Sequence, residues 1–227
     1  RWTAKRKQLI VDSRLRTTSL LARTLASLER KPAVFVSASA IGYYGDTGDS
    51  IADEGSPVGG DFQADVCSRW ESAADAAREA GIRVVHPRTG IVLAAHGGAM
   101  KPLLPLFKAG LGGRLGSGRQ WWSWITLEDQ VRAMLFLIDG TLEGPVNIAA
   151  PTPVRNSEFT VALGRVLRRP ATIPVPEFAL NVRLGTELAE SLGYGSVRVS
   201  SQKLMDAGFT FESETIEEGL RAVFDDR

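Results

Sequence analysis

VFVSASAIGYYG, residues 34–45, decides the fold of this chain, and DFQADVCSRWE, residues 61–71, answers to it. Small and apolar residues from Ala33 run into Ser37 and Ser39, then into Gly42-Tyr43-Tyr44-Gly45. That is the pattern of a buried strand opening into a polar loop bounded by glycines. In an open α/β sheet ligands bind at the carboxyl ends of strands, so Ser39 and Tyr43 are expected to face a crevice. The alternative is a hydrogen-bonded Ser at a strand end with two Tyr rings packed beneath a loop.

Working outward, Phe62, Val66, Trp70, Ala73 and Ala77 recur at helical spacing and Gly81 follows as a C-cap, which predicts one helix over residues 61–81. Gln63, Cys67 and Glu71 fall on an adjoining stripe, so all three meet the same surface. Ile82 to Val85 begins the next strand, which runs through His86-Pro87-Arg88-Thr89-Gly90 to Leu93. Strand, helix, strand in this order argues a parallel βαβ unit. Upstream, Leu9, Ile10, Leu20, Leu21, Leu25 and Leu28 predict a helix that leads into the first strand.

Downstream, residues 46–60 read as an exposed loop of a size that serves binding, and the Gly-rich residues 97–118 as a mobile loop over the pocket. Gly112, Gly116 and Gly118 have the spacing of some dinucleotide-binding turns, but no buried strand precedes them and no helix opens after them. Trp121, Trp122 and Trp124 close a pocket or pack under that loop. Thr126 is an N-cap for a helix to Asp139 with Val131, Met134, Leu135 and Ile138 on one face. A short strand over Pro145 to Ala149 and a helix over Ser157 to Leu167 follow. Helices of a small C-terminal subdomain come after Pro176, then one over Ser200 to Ala207 ended by Gly208, and one opened by a Thr215/Glu218 capping box.

Composition narrows the function classes. With 27 basic and 26 acidic residues in 227, the net charge of +1 gives no electrostatic footprint for nucleic acid or an anionic membrane. The partner expected is a small-molecule substrate. A lone cysteine, Cys67, excludes an internal disulfide and fits a reducing cytoplasm. Two histidines and one cysteine, widely separated, do not make a zinc site, so no metal is expected. The chain opens on Arg1 in a basic stretch without a signal-peptide pattern, which reads as the inside of a longer gene product.

With these segments in view, the chain resembles the extended short-chain dehydrogenase/reductase superfamily, and within it the epimerase-like family of NAD-dependent epimerases and dehydratases. The resemblance is carried by SASAIGYYG (37–45), by residues 62–71 with their Val-Cys-x-x-Trp-Glu, by PRTGIVL (87–93) and by GSGRQWWSWITLED (116–129). From Pro176 onward the chain is similar to that family's C-terminal domain of unassigned function. The resemblance implies an α/β Rossmann-like parallel sheet with helices on both faces. It divides the chain into residues 1–150, a partial dinucleotide-binding domain, and residues 151–227, a small α+β substrate-side region. It also implies that the superfamily's first glycine-rich βαβ half, roughly 60 to 80 residues, is missing before Arg1.

The same resemblance assigns roles residue by residue. Ser39 matches the relay serine, and Ser37, Thr89 and Gly90 match positions beside the cofactor, NADP ahead of NAD. Arg88, Arg119 and Trp122 match the substrate side, Arg88 against the nicotinamide edge or an anionic group. The superfamily's Tyr-x-x-x-Lys pair is replaced by Gln63 and Cys67, neither of which can do the usual job. That leaves Tyr43 or Tyr44 as a displaced acid and Cys67 as a ribose contact or weak acid. Relatives commonly dimerise through two helices, which implies a homodimer. The expected function is NAD(P)-dependent oxidoreductase or epimerase chemistry on a small polar substrate, nucleotide-linked ones included. The alternatives are a non-catalytic NAD(P)-binding module acting through a protein partner, and a hydrolase using Cys67 with His86.

Overall fold

The computed structural model describes residues 2–97, 100–101, 103–175 and 195–224. The helices expected directly after Pro176 lie outside the described residues. Helix α1 (Ala4–Ser27) opens on Thr3, whose hydroxyl accepts the Arg6 N–H, and leads into strand β1 (Val34–Val36). The strand resumes as β2 (Ser39–Ala40) and ends in a 3₁₀ turn, Ile41–Tyr44. Then come α2 (Phe62–Ser72), α3 (Asp75–Glu79), β3 (Arg83–Thr89) and β4 (Ile91–Leu93). The middle of the chain holds α4 (Leu104–Lys108), β5 (Trp121–Trp122), β6 (Trp124–Thr126) and α5 (Leu127–Asp139). It closes with β7 (Gly144–Ile148), β8 (Val154–Arg155), α6 (Asn156–Val166), α7 (Gln202–Asp206) and α8 (Ile216–Phe224).

β3 is the central strand of the main sheet. It pairs in parallel with β1 and β2 on one side, in a single register from Val34↔Arg83 to Ala40↔Thr89, and with β7 on the other. Alternation sends neighbouring residues to opposite faces. Phe35 and Val84 meet Ala22, Ala74 and Ala77 of α1 and the α2–α3 segment, whereas Val34, Val85 and Val146 meet Ala133 and Leu137 of α5. Helices therefore cover both faces, as the βαβ pattern requires. A third apolar cluster joins Leu93, Trp122, Trp124, Phe159 and Leu163 to Ile216 and Leu220 of α8. Among the described residues no helix is long and apolar enough to cross a membrane.

Three local expectations are corrected. The helix over 61–81 is two helices, because Ala73 ends α2 and α3 starts at Asp75; the break turns the small residues Ala74 and Ala77 onto α1. On α5 the buried face is Ala133 and Leu137, while Val131, Leu135 and Ile138 stay about half exposed with Leu127. Residues 112–116 are not a loop over the pocket: Gly116 N–H bonds Val175 O at 2.9 Å, and Val175 N–H bonds Arg114 O at 2.9 Å. A side chain on Gly112 would meet the Phe107 ring and one on Gly113 the Ile173 carbonyl, so glycine here permits close packing of two backbones.

Candidate active site

A cleft of about 310 Å³ lies at the carboxyl ends of β2 and β3. Gly90 lets the chain pass close to Ser123 where it leaves the main sheet for β4, since a side chain there would stand 2.6 Å from the Ser123 carbonyl oxygen. Ala40 and Gly42 line the cleft from the 3₁₀ turn side, Thr89 and Gly90 from the end of β3, and Gln63 and Cys67 from α2. Five aromatic rings complete the wall: Trp2, Phe62, Trp70, Trp121 and Trp122. Gly195 and Val197 close it from the far end of the chain. They are held there because Thr47 N–H donates to Ser196 O at 2.7 Å, Ala52 N–H to Arg198 O at 2.8 Å, and Ser200 N–H to Ala52 O at 2.9 Å.

The stripe of Gln63, Cys67 and Glu71 meets one surface. Gln63 abuts Gly42, Cys67 borders the cleft beside Ala40, and Glu71 accepts the Ser39 hydroxyl at 2.6 Å. Glu71 also takes a two-pronged ion pair from Arg88, Nε to Oε1 and Nη2 to Oε2, each 2.9 Å. Arg88 Nη1 donates to the Tyr44 hydroxyl at 3.0 Å, which donates to Asn147 Oδ1 at 2.7 Å. The Asn147 N–H in turn donates to Glu54 Oε1 at 2.7 Å. The Tyr43 ring lies 3.4 Å from the Arg88 guanidinium carbon. This network runs behind the cleft, and Ser39, Tyr43 and Arg88 belong to it rather than to the lining.

The sequence-expected residues therefore divide. Cys67, Thr89, Gly90 and Trp122 come together in the cleft. Ser37 is buried outside that lining, and among the described residues its hydroxyl has no partner. Arg119 is exposed and holds Arg155 through its carbonyl oxygen, away from the cleft. Glu71 was legible as a member of the stripe but not as the centre of the network. Trp2 and Arg14 had no local signal, because α1 reads from its leucines as a packing helix.

Protonation follows from burial. Burial pushes the Cys67 thiol up to about 11, with Glu71 adding to the effect, so the thiol is protonated at neutral pH. Burial likewise pushes Tyr44 up to about 12 against the pull of Arg88. His86 is held below its usual range by burial; its Nε2 lies 3.2 Å from Arg78 Nη2 and its Nδ1 3.3 Å from Ser37 O. Arg78 can only donate, so Nε2 accepts and Nδ1 carries the proton toward Ser37. Both imidazole nitrogens are thus engaged away from Cys67, and the hydrolase arrangement does not form. Labelling of Cys67 by iodoacetamide, followed by intact mass, is expected to be slow at neutral pH. It should quicken about tenfold per pH unit through the alkaline range. Rapid labelling at pH 7 would mean that the thiol is ionised after all.

Comparison with known proteins places this geometry. Residues 175–223 match a family model described as a domain of unknown function, DUF1731. The chain is 44% identical over 221 residues to epimerase family protein Mb2239 of Mycobacterium bovis, covering 97% of this chain and 72% of that one. It is 40% identical to the chloroplastic epimerase family protein SDR39U1 homolog of Arabidopsis thaliana, covering 98% of this chain and 64% of that one. Among solved structures, human epimerase family protein SDR39U1 with NADPH superposes with a TM-score of 0.94 at 29% identity, over all of this chain and 77% of that one. The nucleoside-diphosphate sugar epimerase of Corynebacterium glutamicum matches at 32% identity with a TM-score of 0.64, over 52% of its length.

Proposed function

The chain belongs to the epimerase family, and on that footing we propose that it is a nicotinamide-dependent oxidoreductase or epimerase-like enzyme whose proton chemistry does not use a Tyr-x-x-x-Lys pair. The observation that carries this reading is the cleft at the carboxyl ends of β2 and β3, the place where open α/β sheets bind ligands. The lining fits a polar ligand: Gln63, Cys67 and Thr89 offer polar atoms, and no carboxylate lines the cleft among the described residues to repel one. Thr89 and Gly90 would hold the nicotinamide end of NADP or NAD. The bound cofactor supplies hydride transfer.

The chain's own residues do the rest. Glu71 holds the Ser39 hydroxyl proton and is itself fixed by Arg88, which sets the carboxyl end of β2 behind the cleft. The Cys67 thiol keeps its proton at neutral pH and can donate a hydrogen bond into the cleft. Gln63 offers an amide where a titratable ring hydroxyl would otherwise stand. The aromatic wall excludes water, which strengthens every polar contact made inside.

NADP is favoured over NAD because the human relative was solved with NADPH. Titration of the full gene product with NADPH and NADH, followed by cofactor fluorescence, is expected to give micromolar binding with NADPH the tighter. Absence of binding by either would overturn the reading. The second reading, a binding module that reports the cofactor to a protein partner, is favoured by the high-lying Cys67 and Tyr44, neither of them a ready acid. Hydride exchange separates the two: turnover ends the module reading, and tight NADPH binding without exchange against any tested carbonyl supports it.

A further inference from the structure

Resting on the reading that chemistry occurs in this cleft, we infer that its substrate is a flat, mostly apolar molecule carrying a single carboxylate, seated against Arg14, and not a nucleoside-diphosphate sugar. Five aromatic rings line the cleft, a wall that favours an aromatic or conjugated ligand over a polyol. A sugar ring needs several polar partners. The described lining offers few polar side chains, namely Gln63, Cys67, Thr89, Ser123 and Arg14, and the Ser123 hydroxyl is already spent, donating to Val197 O and accepting from Val199 N.

Charge makes the same point. Arg14 is the one charged side chain among the described lining residues. It is set in place by donating to Ile10 O at 3.2 Å and by lying 5.1 Å over the Trp70 ring, which is itself anchored by its N–H to the Thr18 hydroxyl at 2.9 Å. Among the described residues Arg14 makes no ion pair with a carboxylate. A lone, pre-oriented guanidinium suits one carboxylate. A diphosphate would bring two charges to one cation, and the second would be desolvated without a partner. The other cations nearby are engaged: Arg88 on Glu71, Arg155 on Asp49 at 2.7 Å, and Arg198 on the Asp49 carbonyl oxygen at 3.3 Å. The cleft's volume of about 310 Å³ lies at the small end of ligand sites, room for a bicyclic acid.

The test is calorimetric titration of the full gene product, without cofactor, using 2-naphthoate, its neutral amide 2-naphthamide, and UDP-glucuronic acid. Naphthoate is expected to bind at least about tenfold more tightly than UDP-glucuronic acid. Arg14→Gln should weaken naphthoate by about tenfold or more and leave naphthamide unchanged, as expected for loss of one charge-assisted contact. Arg14→Lys, which keeps the charge and loses the planar fork, should fall between the two. Tighter binding of UDP-glucuronic acid, no binding of naphthoate, or an equal change for acid and amide in Arg14→Gln would each overturn the inference. Failure here alongside good NADPH binding would discard the substrate class and spare the enzyme reading. Naphthoate binding without any NADPH binding would do the reverse.

Discussion

Arg88→Met is expected to remove about 3–5 kcal/mol of folding stability, read as a fall in the urea unfolding midpoint. Arg88 sits on the central strand with its side chain 3% exposed, and Glu71 faces it at 13%. Deleting the guanidinium strands a carboxylate among apolar neighbours with only the Ser39 hydroxyl left to solvate it. The same change removes the donor to Tyr44 and the cation under the Tyr43 ring, so the 3₁₀ turn loosens with the strand. The double variant Glu71→Leu/Arg88→Met should recover most of the loss, because no charge is then left unpaired. A single variant within about 1 kcal/mol of the parent would show that water reaches the pair and that the network does not hold the turn.

The second large effect is expected at Asp129. Its carboxylate is fully buried at the start of α5, where it accepts the backbone N–H groups of Glu212 at 2.9 Å and Ser213 at 3.1 Å and pairs with Arg132 at 2.6 Å. Asp129→Ala leaves both N–H groups without acceptors, about 1–3 kcal/mol for each, so a loss of about 2–6 kcal/mol is expected. Asp129→Asn keeps one acceptor oxygen and should cost about half as much. Limited proteolysis gives a second readout. Cleavage near residues 209–213 should appear in the Ala variant well before global unfolding, and equal protease resistance in parent and variant would show that the segment is held from elsewhere.

These two sites mark the boundary of what the sequence allowed. Local signals were reliable where the partner is near in sequence. Thr126 caps α5 by accepting the Asp129 N–H at 3.1 Å, and Thr215 and Glu218 form both arms of their box, at 2.9 and 3.4 Å. The buried strand ending in hydroxyls and the shared stripe of Gln63, Cys67 and Glu71 were legible for the same reason, because spacing within one element decides which way a side chain points. What spacing cannot say is which distant group waits there. Glu71 meets Arg88 across 17 residues and Tyr44 meets Asn147 across 103. The exposed stripe of α5 failed differently: the most apolar face was taken for the core face, but the space under the helix is set by Val85 and Ile148, which admit Ala133 and Leu137. The same limit hid Arg14, whose meaning depends on a cleft that α1 borders only after the sheet has formed.

The loop of residues 47–52 carries a consequence for how the protein is made. Thr47 bonds Ser196, 149 residues further along the chain, whereas the Asp49 side chain bonds Trp121 and Arg155, 72 and 106 residues on. At ribosomal speeds of roughly 5–20 residues per second, the loop waits roughly 7–30 s between its own synthesis and the emergence of residues 195–200. The central strands can pair in that interval, whereas the outer wall of the cleft cannot. Throughout it the nascent protein presents a groove without its outer wall and a loop held only at Asp49, the kind of segment that proteases cut first. A translation pause before residue 195 would lengthen that exposure without altering a single contact of the finished fold.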